Sequence, residues 1–146
     1  AGRPAYLLLL EGCYAHTREA LLSLYRWVNP FFGNVFGPMI LFWMNLFYKN
    51  KLDLYSPARL APLVRVPVML IHGEKDRRFP LEFALSLKRN FTAGQAELYI
   101  AGGVGHSDSS TTVGYRKAVR SFVERHWRGL QDTALKNGGL KAELRD

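Results

Sequence analysis

The run Val66-Pro-Val-Met-Leu-Ile71 constrains this chain most, because it is apolar on both faces. A strand without a polar side belongs inside a sheet covered by helices, which is the situation of a parallel sheet. The residues after it agree. A polar loop, His72-Gly-Glu-Lys-Asp-Arg-Arg-Phe-Pro80, leads to a helix predicted over 81–91, with apolar positions at Leu81, Ala84, Leu85 and Phe91 and Pro80 at its start. After the turn Thr92-Ala-Gly-Gln95, Ala96-Glu-Leu-Tyr-Ile100 alternates with the two-residue period of a strand. A glycine-rich loop, Ala101-Gly-Gly-Val-Gly-His-Ser-Asp-Ser-Ser110, then opens into a closing helix with a core stripe of Tyr115, Ala118, Val119, Phe122, Val123 and His126-Trp127. Strand, helix, strand, helix at this spacing predicts an α/β fold with a parallel sheet and flanking helices.

The upstream half is different in character. Ala5-Tyr-Leu-Leu-Leu-Leu10 reads as a further buried strand, too short for a secretory signal. Thr17 is a plausible N-cap for a helix through Val28, and Asn29-Pro30 marks a boundary, because a residue before proline avoids the helical region. Phe31 to Tyr48 is densely apolar but carries Asn34, Pro38 and Asn45, so it reads as one or two buried or interfacial helices rather than a membrane span. Ser56-Pro57 offers an N-cap followed by a first-turn proline for a short helix into Leu63. The tail, residues 129–146, is polar and reads as mobile or loosely helical.

Composition narrows the function classes. The chain has 146 residues, 48% of them hydrophobic, enough for one core and too few for two typical domains. Its formal charge of +8 comes from 20 Lys plus Arg against 12 Asp plus Glu, but the basic residues are scattered in short clusters, so no nucleic-acid partner is expected. One cysteine, Cys13, excludes a disulfide framework and fits a reducing, cytoplasmic setting. The four histidines show no His-x-x-x-His pair, and neither a metal nor another cofactor is expected.

In a parallel sheet the loops at the carboxyl ends of the strands gather the chemistry. Two such loops carry His72, Glu74 and Asp76, and His106, Ser107 and Asp108. If their strands are neighbours, an acid from one loop reaches an imidazole from the other, which is half of a catalytic triad. The plainer alternative is that Glu74 and Asp76 are turn residues and His106 a polar loop residue.

At these residues the chain resembles the C-terminal half of the α/β-hydrolase family: Val66-Pro-Val-Met-Leu-Ile-His-Gly-Glu-Lys-Asp76 with Phe79-Pro80, then Gly103-Val-Gly-His106, then the closing helix. The resemblance implies Asp76 as triad acid and His106 as general base. It covers about 56–128 and extends less specifically upstream, where Ala5 to Leu10 looks like the preceding strand and 17–55 like a helical cap. On this reading 1–128 is the C-terminal portion of one hydrolase domain acting by acyl transfer on an ester, thioester or amide. The partners would be a small substrate with an acyl or other apolar group and the missing N-terminal half of the same protein, with a homo-oligomer also open.

A nucleophile elbow of the form Gly-x-Ser-x-Gly is absent from the sequence, and the chain does not begin with methionine. The expectation is therefore a fragment that supplies acid and histidine but is inactive alone. Cys13 keeps the family's chain order as an internal nucleophile, although Glu11 stands where a tight elbow needs a small residue; Glu11 is also a possible substitute acid. Two other readings remain: a non-catalytic module of the same fold, and a membrane-surface protein that docks its aromatic segment and positive charge on anionic lipid.

Overall fold

A computed structural model describes residues 6–49 and 51–136. Its centre is a three-stranded parallel sheet in which β1 (Leu8–Glu11), β2 (Val68–Gly73) and β3 (Ala96–Ala101) lie in that spatial order. Leu8 pairs with Val68, and Val68 with Ala96; Ile71 stands between Glu11 and Tyr99. All three carboxyl ends therefore open at the same edge.

β2 is buried along its whole length, and its pleat divides the core in two. Val68 and Leu70 face a cluster with Ala15, Ala58, Ala61, Leu87, Phe91 and Ala96. Met69 and Ile71 face Phe122 and its helical neighbours on the opposite side. The first face is covered by α3 (Pro57–Leu60) and α4 (Leu81–Arg89), the second by α5 (Val113–Lys136). This is an α/β fold with helices on both sides of the sheet, as the doubly apolar run predicts.

Several local expectations change in the tertiary setting. β1 is not a buried strand: Leu9 is 40% exposed, because β1 lies at the edge of the described sheet with only β2 as neighbour; Ala5 lies outside the described residues. In α4, Leu85 faces outward at 39% exposure while Leu87 is buried, because Ala84, Leu87 and Phe91 follow the three-and-four spacing that meets β2. α5 continues through Gly129 to Lys136, so the start of the polar tail is helical, and 137–146 lie outside the described residues.

Upstream, α1 (Thr17–Val28) and α2 (Pro30–Phe47) form a hairpin. Asn29 Oδ1 accepts from the Phe32 amide at 3.0 Å and caps α2, with Pro30 at the first helical position. Gly33, Gly37 and Leu41 are the buried positions of α2. At Gly33 the backbones touch: a Cβ there would stand 2.5 Å from the Arg26 nitrogen. Thr17, expected to cap α1, is instead its first helical residue, and its amide is capped from a distance by Ser56 Oγ at 3.0 Å. Ser56 itself makes no side-chain cap on α3; it is fully buried between the two elements and also donates to Thr17 Oγ1.

Candidate active site

Asp76 and His106 meet at the carboxyl edge of the sheet. β2 ends at Gly73 and its loop turns back within three residues, the Asp76 amide donating to the Gly73 carbonyl at 3.2 Å. One carboxylate oxygen builds the turn: Asp76 Oδ1 accepts from the amides of Arg78 at 2.8 Å and Phe79 at 2.9 Å. Aspartate suits this role because its short side chain reaches backbone N–H groups two and three residues on. The other oxygen is left for His106, whose Nδ1–H donates to Asp76 Oδ2 at 2.7 Å. Asp76 is thus both the turn residue of the plain reading and the imidazole's acceptor, with three N–H donors converging on a side chain that has no exposure to solvent. Charge-assisted bonds of this kind are the strong ones.

A carboxylate only accepts, so Nδ1 carries a proton, and in the neutral ring Nε2 is then the nitrogen with the lone pair. The ring is 22% exposed. Phe79 meets it edge-on with centroids 5.2 Å apart. Gly12, at φ +59° in the loop after β1, lies against its other side, where a Cβ would come within 2.8 Å of His106 Cε1. Gly12 therefore serves both the left-handed turn and the space the imidazole occupies.

The loop that carries His106 is fastened to the loop that carries Asp76. The Glu74 amide donates to the Ala101 carbonyl and the Lys75 amide to the Val104 carbonyl, each at 2.9 Å. Glu74 Oε2 accepts from the Gly103 amide at 2.8 Å, so Glu74 is a tie between loops rather than a partner of the histidine. The Gly105 carbonyl rests on Gly73, where a Cβ would meet it at 2.1 Å. His72, fully buried at the end of β2, donates from Nε2 to the Phe79 carbonyl at 2.8 Å and passes 3.7 Å from Asp76 Oδ2, too far for a hydrogen bond. It holds the far end of the Asp76 turn.

The other sequence candidates lie apart from this contact. Glu11 Oε1 accepts from the Ser109 amide at 3.2 Å, so it ties β1 to the loop beyond His106. Cys13 packs against the Val68–Leu70 core face, and burial pushes its thiol up to about 11. A thiol so held stays protonated at neutral pH and is a poor nucleophile. Ser107 has a φ of +60°, and Ser109 is fully buried. Among the described residues no group of three His, Cys, Asp or Glu side chains could hold a metal ion.

The α1–α2 hairpin also reaches this loop. Ser23 Oγ donates to the Arg78 carbonyl at 2.7 Å, and the Arg78 guanidinium lies 4.3 Å from the Trp27 ring centroid. Nothing in the sequence marks Ser23, Trp27, Gly12 or Gly73 for these roles; each depends on what another segment brings close. The fold and site define an α/β protein with a buried carboxylate–imidazole pair at the carboxyl ends of two adjacent parallel strands. A scan against protein-family models and a search of curated proteins both find no match to the chain.

Proposed function

We propose that this chain supplies the acid and the general base of an α/β-hydrolase-type acyl-transfer enzyme. The observation that carries the reading is the 2.7 Å contact between His106 Nδ1 and a solvent-free Asp76 carboxylate, presented where the strand ends converge. Asp76 orients the imidazole and stabilises its protonated form; His106 Nε2 takes the proton of a serine hydroxyl as that oxygen attacks the substrate carbonyl. The imidazolium then returns the proton to the leaving alcohol, thiol or amine. Water repeats the sequence, giving its proton to Nε2 and releasing the acid and the serine.

No Gly-x-Ser-x-Gly stands in the 146 residues, and the Cys13 thiol is held protonated, so the reading assigns the serine to polypeptide outside this sequence. The α1–α2 hairpin takes the part of a cap, since Ser23 and Trp27 grip the Asp76 loop and Tyr14 lies 5.5 Å from Phe79 beside the imidazole. Such apolar walls favour a small substrate with an acyl or aromatic group.

The test is fluorophosphonate labelling of the parent protein followed by peptide mapping. The expected result is one labelled serine in a strand-to-helix turn, with labelling reduced at least about a hundredfold by His106→Ala. Labelling that ignores His106→Ala in a folded variant, or a parent without such a serine, overturns the enzyme reading. The protonated Cys13 favours, in that event, a non-catalytic module of the same fold.

A further inference from the structure

We propose that the outer face of α2 seats in the interfacial region of an anionic lipid bilayer, with the helix lying in the membrane plane. α2 has two apolar sides. Gly33, Gly37 and Leu41 are buried, with Gly33 and Gly37 against α1, whereas Phe32, Val35, Met39, Phe42, Trp43 and Leu46 are each 49 to 64% exposed. At 100° per residue these six share one continuous face. Asn34, one of its two amide side chains, lies off that face and accepts from Arg26 Nε at 2.8 Å. An exposed apolar strip four turns long is far more than scattered surface hydrophobics, and marks a contact surface.

Charge and aromatic placement select the partner. Between Glu19 and Asp53 the chain has no acidic residue, and it carries Arg26, Lys49 and Lys51. Tyr48, Lys49 and Lys51 follow the strip directly, so its C-terminal end carries a phenol ring and two cations. Lysines reach phosphate headgroups while aromatic rings sit at the boundary of the acyl chains. A helix with one exposed apolar face that ends in cations satisfies both when it lies in the interfacial plane. α2 is also long and apolar enough to cross a membrane, but its other side is already closed against α1, which fits the in-plane arrangement.

The inference does not depend on hydrolase activity. Its test is flotation of the full chain with phosphatidylcholine vesicles, with and without about 30% phosphatidylserine, at about 0.1 and 0.5 M salt. Binding is expected to the anionic vesicles only, with a blue shift of tryptophan emission, and to weaken at the higher salt. Lys49→Gln with Lys51→Gln should weaken it about tenfold or more. Phe42→Gln with Leu46→Gln, at 64 and 59% exposed positions that leave the core intact, should abolish it. Equal binding to neutral vesicles overturns the electrostatic part of the proposal. Absence of binding by a monomer, or a self-association that Phe42→Gln with Leu46→Gln removes while vesicles are ignored, overturns the whole.

Discussion

The sheet edge and the helical hairpin are built on opposite principles. At the sheet edge polar groups are paired around one carboxylate, glycines admit the neighbouring loop and ring, and Asp76 has almost no freedom. In the hairpin the contact is backbone against backbone at Gly33, and most of the apolar side chains of α2 point away from the protein. One region satisfies its polar groups internally; the other leaves an apolar face exposed. Polar closure and apolar exposure adjoin without conflict here, because the hairpin meets the site through Ser23 and Trp27 at Arg78, away from the exposed face of α2.

The strongest way to break this comparison is Gly73→Val. Its Cβ would coincide with the Gly105 carbonyl at 2.1 Å, and backbone cannot yield as a flexible side chain does. A loss of about 3 kcal/mol or more is expected in chemical unfolding, together with loss of the low-field His106 Nδ1 proton resonance. A variant of native stability that keeps the resonance would show the two loops are not interlocked.

Cys13 sharpens the same side. With the thiol raised by burial to about 11 from its ordinary value of 9.0, its thiolate fraction near pH 8 falls about a hundredfold below that of a free cysteine. Alkylation should be slower by that factor and rise as pH climbs through 9 to 11. Since unfolding restores the lower pKa, the stability contributed by the protonated buried thiol is present below pH 9 and is lost as pH rises through that window. Rapid alkylation at pH 8 in the folded chain would place the thiol in an open, reactive setting.

Gly33→Ala addresses the hairpin. A methyl 2.5 Å from the Arg26 nitrogen forces α1 and α2 apart at a cost of about 1–3 kcal/mol, while the His106 resonance persists. Loss of both signals together would show that hairpin and site form one cooperative unit. The smallest effect is expected for Ser56→Ala. It removes a cap supplied across 39 residues, costing about 1 kcal/mol, and hydrogen exchange should rise in the first turn of α1 while the sheet amides stay protected.

Much of this architecture is legible in the chain. Period and polarity alone mark β2, β3, the helix between them and the closing helix, because side-chain burial repeats every two residues in a strand and every three to four in a helix. The same reading places Asp76 and His106 in the loops after two strands, which the structure makes neighbours. It misses the exposure of β1, since an edge strand and a central strand can share one apolar run, and it misses Leu87 because Leu85 is equally apolar.

Local periodicity and the positions where strands end specify the parallel α/β core and the two loops that carry Asp76 and His106. Only the tertiary structure decided that Asp76 divides its two oxygens between its own turn and His106. It alone decided that Gly12 and Gly73 are kept small by a ring and a carbonyl from distant residues, and that Ser56 caps a helix 39 positions upstream. It also decided which side of an all-apolar α2 faces outward. Each of these depends on contacts between segments far apart in the chain, and steric exclusion and hydrogen-bond closure act only once folding has brought those segments together.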